Sequence, residues 1–117
     1  MPHIVIEGPV DFKAFLAVYE PCDFQSVGEV LRLQNSYISK AEDAVLIEAI
    51  AVEQGPANRF LVQAVRKEGK LTVKCYPGTD PEKTPGVKKI LAIVAKKIKD
   101  LDPQIAYGSS NLQEFLL

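Results

Sequence analysis

Between residues 70 and 101 the apolar positions change period, and the rest of the chain can be read around that change. Leu71, Val73 and Cys75 alternate with Thr72, Lys74 and Tyr76, the pattern of a half-buried strand. Tyr76-Pro77-Gly78 ends it. Val87, Leu91, Val94, Ile98 and Leu101, with Ile90 beside them, then recur at helical spacing and predict one long amphipathic helix. Thr84-Pro85 has the chemistry of its start, an N-cap followed by proline in the first turn. Thr79 with Glu82 also fits a capping box, so a second helical start is expected just upstream. Asp102-Pro103 breaks the helix, and residues 104–107 read as a last short strand.

The upstream pattern predicts five further elements. His3-Ile4-Val5-Ile6-Glu7 is a short β-branched run closed by Gly8-Pro9, a first strand with Ile4 and Ile6 on one side and His3 and Val5 on the other. Phe12, Phe15, Leu16 and Tyr19 share a face of a helix over residues 10–20, with Asp11 as cap and Pro21 as stop. Residues 22–28 read as a loop. Residues 30–39 read as extended, with Leu31, Leu33 and Tyr37 on one side and Arg32, Gln34 and Ser36 on the other. Residues 44–53 carry two signals. Ser39 with Glu42 matches a capping box and Gly55-Pro56 a helix stop, but Val45, Ile47, Ile50 and Val52 are β-branched and both faces are largely apolar. The expectation is a central strand, followed across a hairpin loop by a strand over residues 59–65.

The predicted order is β-α-β-β-β-β-α-β over a single domain of residues 1–117. That is an α+β fold, with a mainly antiparallel sheet and two helices packed on one face. A sheet covered on one side often hides the other against a copy of itself, so a homodimer is expected. The apolar tail, Leu112 with Phe115, Leu116 and Leu117, is expected to dock on the domain or on a second subunit.

Composition narrows the class. Of 117 residues 47% are apolar and 25% charged, which fits a soluble globular domain. No run approaches a membrane span, and the N-terminus lacks the basic-then-apolar pattern of a signal peptide. Cys22 and Cys75 make no disulfide framework, so a cytoplasmic chain with reduced thiols is expected. The formal net charge of −1 offers nucleic acid no general attraction. The halves differ: residues 1–60 hold four Lys/Arg against nine Asp/Glu, and residues 61–117 hold ten against six.

Candidate chemistry is sparse. Nucleotide-loop, zinc-protease, CxxC and nucleophile-elbow motifs are missing, and one histidine with two isolated cysteines makes no usual zinc site. No cofactor is expected. Met1-Pro2-His3-Ile4-Val5-Ile6-Glu7 resembles the opening of tautomerase-superfamily proteins, especially the carboxymethyl-hydroxymuconate isomerase branch. The resemblance covers these seven residues and implies removal of Met1, a β-α-β scaffold and a Pro2 amine acting as general base. A free α-amino group titrates near ~8, so it can hold or give a proton at neutral pH.

Two further leads come from the lysines. Lys83, Thr84, Lys88 and Lys89 lie around the start of the long helix, where unpaired N–H groups and the positive dipole end favour a phosphate or carboxylate. The competing account is a rigid strand-to-helix connection whose caps serve stability alone. Lys88, Lys89, Lys96, Lys97 and Lys99 make one helix face basic, which can meet nucleic acid, although no aromatic residues are interleaved to stack bases. The function expected from these features is a non-enzymatic binding or interaction module forming a homodimer. The alternatives are an N-terminal-proline tautomerase, and anion or nucleic-acid binding through the lysine-rich helix.

Overall fold

In the computed structural model, which describes residues 2–117, the strands join into one seven-stranded antiparallel sheet. They are β1 (His3–Glu7), β2 (Cys22–Ser26), β3 (Glu29–Ile38), β4 (Ala44–Val52), β5 (Asn58–Lys67), β6 (Lys70–Cys75) and β7 (Ala106–Ser110). The order across the sheet is β2-β3-β4-β5-β6-β1-β7. Consecutive strands from β2 to β6 are neighbours, as short hairpin connections require. β1 pairs with the far edge of that meander, His3 opposite Lys74 and Ile6 opposite Leu71. Helix α1 (Phe12–Val18) follows β1, and α2 (Pro85–Lys99) crosses from β6 to β7. The expected α+β class and mainly antiparallel sheet are what the chain forms.

Residues 44–53 resolve as strand. Ser39 still caps, but it caps a turn: its hydroxyl accepts from the N–H groups of Asp43 and Ala44, both at 3.2 Å, and Glu42 takes a positive φ of 61°. With the turn closed there, the β-branched run pairs on both sides, with β3 and with β5.

Alternation then decides which side chains meet the helices. Ile4, Ile6, Leu31, Leu33, Val45, Ile47, Phe60, Val62, Leu71 and Val73 are buried in one cluster with Phe12 and Phe15 of α1 and with the stripe of α2. Val87, Ile90, Leu91, Val94, Ala95 and Ile98 are fully buried in it. Each such large side chain stabilises the fold by about 1.5–3 kcal/mol.

Four expectations are corrected. The loop at residues 22–28 contains strand β2, which a period-two search misses because Cys-Asp-Phe-Gln-Ser alternates weakly and lies at the sheet edge. Gly28, at φ +76°, makes the turn back into β3. Second, β3 slips register between Leu33 and Ser36. That bulge gives β3 one extra residue against β4 and turns the following side chains over. Ser36 and Ile38 thereby oppose the inward Ile47 and Val45, and Tyr37 leaves the core side and becomes 51% exposed. Third, Thr79 caps no helix. Its hydroxyl accepts from Leu61 N–H at 3.2 Å and donates to the Tyr76 carbonyl at 2.9 Å. Pro85 holds the preceding Thr84 extended, with ψ 165°, so a helix begun at Thr79 would be cut off within a turn. Fourth, the last strand runs Ala106–Ser110, sharing only residues 106 and 107 with the predicted span 104–107. Most of the tail docks on its own domain: Leu112 is 3% exposed, and Phe115 and Leu116 pack against the core, whereas Leu117 is 62% exposed.

The two sides of β4 predict opposite responses to truncation. Ile47→Ala, on the helix side, should cost about 2–5 kcal/mol in urea unfolding, and Leu46→Ala, on the other side, under about 1.5 kcal/mol. Equal losses would contradict the assignment of the core to one face.

Candidate functional site

The start of α2 is the most built polar site in the molecule. Thr84 is the N-cap, and its hydroxyl oxygen accepts from Val87 N–H at 3.3 Å. The same hydroxyl donates to Glu53 Oε2 at 2.5 Å, and Glu53 Oε1 accepts from Gly86 N–H at 2.8 Å. The anion at this helix end is therefore a carboxylate of the chain itself, delivered from the end of β4. A Cβ at position 86 would stand 2.5 Å from the Glu53 carboxyl carbon, so a side chain there would displace the carboxylate from this place. A glycine near the helix start costs helix propensity, and here the cost secures two charge-assisted hydrogen bonds.

Beside this latch lies a cavity of about 400 Å³, lined by Glu53, Glu82, Thr84 and the loop from Gln54 to Asn58. Two carboxylates and no Lys or Arg face it. Of the four residues expected around an anion, Lys83, Thr84 and Lys89 are engaged with groups of the chain itself. Lys83 turns back to Asp80 at 2.9 Å and to the Pro81 carbonyl at 2.6 Å. Lys89 reaches Glu29 on β3, with both carboxylate oxygens at 3.1 Å. Thr84 is occupied with Glu53, and Lys88 makes no ion pair among the described residues. On the basic helix face, Lys96 pairs with Asp100 at 2.8 Å, and Lys99 sits 5.5 Å from the centre of the Tyr107 ring.

Pro2 is buried at the head of β1, between β6 and β7, and lines none of the three principal cavities. Met1, whose removal the tautomerase resemblance implies, lies outside the described residues.

A second polar cluster surrounds the β3 bulge. A cavity of about 490 Å³ opens where β2 begins, lined by Pro21, Cys22, Asp23 and the β3 residues Arg32 to Asn35. Arg32 holds Asp23 through Nε at 2.9 Å and Nη2 at 3.3 Å. Past Leu33, β3 has no strand neighbour on this side among the described residues, and the Tyr19 hydroxyl donates to the half-buried Gln34 carbonyl at 2.5 Å. Burial pushes the Tyr19 phenol well above its ordinary range. Glu48, in the middle of the central strand, accepts from Asn35 N–H at 3.3 Å and from the Tyr37 hydroxyl at 3.2 Å. Cys75 is buried, which raises its thiol pKa, whereas Cys22 is half-buried at the cavity wall.

The third feature is the sheet face that neither helix covers. It carries Val5, Leu46, Ile50, Val52, Leu61 and Val65, interleaved with Arg32, Glu48, Arg59, Gln63 and Lys74. Ile50 is only 8% exposed, with Arg32 and Arg59 directly opposite it on β3 and β5. The surface is thus mixed, less apolar than the β4 sequence alone implies. Compared with family models, curated proteins and solved structures, the chain matches none.

Sequence reasoning singled out Thr84 and missed Glu53, Glu48 and Tyr19. A single charge closing an apolar strand, as Glu53 closes β4, is the only local signal of the first.

The latch predicts that Glu53→Ala costs about 1.5–3 kcal/mol and Thr84→Ala about 1 kcal/mol, with the double variant losing less than the sum. At constant ionic strength, phosphate should leave the wild-type Tm unmoved and raise that of Glu53→Ala, whose helix end is vacated. A wild-type melt that rises with phosphate would contradict an end already filled. Tyr19 predicts an alkaline effect. Its folded pKa lies above the ordinary 10.0, so the unfolded chain releases this proton first and stability falls as pH rises past about 10. Urea unfolding at about pH 9 and pH 11 should show a smaller loss in Tyr19→Phe than in wild type.

Proposed function

We propose that the protein is a binding module without chemistry of its own, that it acts as a homodimer, and that the uncovered sheet face is its recognition surface. One observation carries the reading. Both helices pack on one side of the sheet, leaving apolar and charged side chains interleaved across the central strands on the other. Interfaces between proteins that meet and part have this mixed character, with charges at the margin of apolar contacts. Burying Arg59 and Lys74 against a flat apolar partner would strip them of water without compensation. The surface therefore suits a partner that offers carboxylates or carbonyls along with apolar groups.

The polar clusters support the same reading. Glu53 is consumed in holding α2, and Glu48 in bracing the β3 bulge, so both carboxylates have structural employment. Among the described residues, no helix is long and apolar enough to cross a membrane. The proline-amine alternative turns on Met1: an intact mass that retains it closes that route, and a mass that lacks it keeps the route open.

Sedimentation equilibrium over about 10–500 µM tests the homodimer, since a weak self-association is concentration-dependent. The mass of two chains is expected at the upper end. A mass of one chain throughout would overturn the homodimeric module.

A further inference from the structure

We infer that two copies of the chain join edge to edge through β2, continuing the sheet across a twofold axis at Phe24. The inference rests on the reading that the protein is a homodimer, and it says where the copies meet.

β2 is the outermost strand on its side of the sheet, and its last four residues are exposed. Its pairing with β3 fixes which backbone groups are free. Ser26 and Glu29 flank a two-residue turn and exchange both hydrogen bonds, so Phe24 and Cys22 likewise spend theirs on Leu31 and Leu33. Asp23 and Gln25 turn their N–H and C=O groups to the open edge. An unpaired edge of this kind is a template for another strand. Proteins that keep such an edge solitary place charges, lysine above all, proline or a bulge on it; β2 has no lysine, proline or bulge, and its one charge, Asp23, is paired with Arg32 of β3.

The other edges are blunted. β7 is irregularly paired, with a register shift between Ile4 and Ile6, and the Tyr107 hydroxyl ties it to the Leu117 carbonyl at 3.1 Å. The stretch of β3 that outruns β2 is sealed by Tyr19 at Gln34.

The sequence of β2 is complementary to itself. With the axis at Phe24, Asp23 faces Gln25 of the second copy, and these are the residues whose backbone groups point outward. All five residues pair, Cys22 lies opposite Ser26, and no like charges meet. Phe24, 42% exposed, lies directly across from its own copy, in the closer, non-hydrogen-bonded type of pair where aromatic rings make contact. Moving the axis to Asp23 sets two carboxylates against each other, and moving it to either Asp23 or Gln25 shortens the overlap. The contact is small, so the dimer is weak and concentration-dependent. It leaves the uncovered faces of both copies free and makes them continuous.

Two variants test the contact. Gln25→Pro removes an N–H that serves no bond within the chain, so the protein should stay folded and sediment as one chain where wild type sediments as two. Ser26→Cys should, under mild oxidation, cross-link to Cys22 of the second copy. That cross-link does not depend on how Gln25→Pro folds. Val27→Cys, fully exposed at the turn but out of register, should cross-link at least tenfold more slowly. A wild-type dimer that survives Gln25→Pro, with no preference for the Ser26→Cys cross-link, overturns the β2 contact and leaves the homodimer standing. A wild-type mass of one chain throughout overturns both.

Discussion

Helix α2 can lie against only one face of the sheet, and most of the molecule follows from that choice. Its stripe is fully buried against the inward positions of β1, β3, β4 and β6. The strands that meet it must alternate, and their other positions are left to water or to a partner. The fold therefore sorts a single chain into a dry side, where side chains are apolar and interchangeable by volume, and a wet side, where charge and shape carry information.

The connection that places α2 is more tightly specified than the helix itself. Pro85 sets the first turn and Thr84 caps it, but the register of the helix over the sheet is held by Glu53, 33 residues away in sequence. A carboxylate at a helix N-terminus is stabilised by the dipole and by unpaired N–H groups. Gly86 gives it room to approach. The same physics that makes a helix start attractive to phosphate is used here inside the chain, while Lys83 and Lys89 pair with Asp80 and Glu29.

How much of this the sequence disclosed depends on how local each cause is. The α2 stripe, the Thr84-Pro85 start, the strand β1 and the β-branched β4 are written in neighbouring residues, and all were legible. The bulge in β3 was not, because Asn35 and Ser36 fit the polar side of a strand as readily as a turn, and the slip is set by pairing with β4. β2 was hidden for a related reason. A strand that buries little needs little apolar alternation, so the edge that faces solvent is the element whose sequence says least. Glu53 illustrates the third case, a partnership between distant residues that only the folded chain brings within 3 Å.

The account assigns the helix side of the sheet to stability and leaves the far face and the β2 edge for association. Amide hydrogen exchange along β2, followed residue by residue at rising protein concentration, tests this most directly. In dilute protein Phe24 should be protected and Asp23 and Gln25 should exchange rapidly, since their N–H groups face the open edge. At high concentration Asp23 and Gln25 should slow markedly and Phe24 should change little. Protection of Asp23 and Gln25 that is already present in dilute protein, or that never grows with concentration, would contradict it.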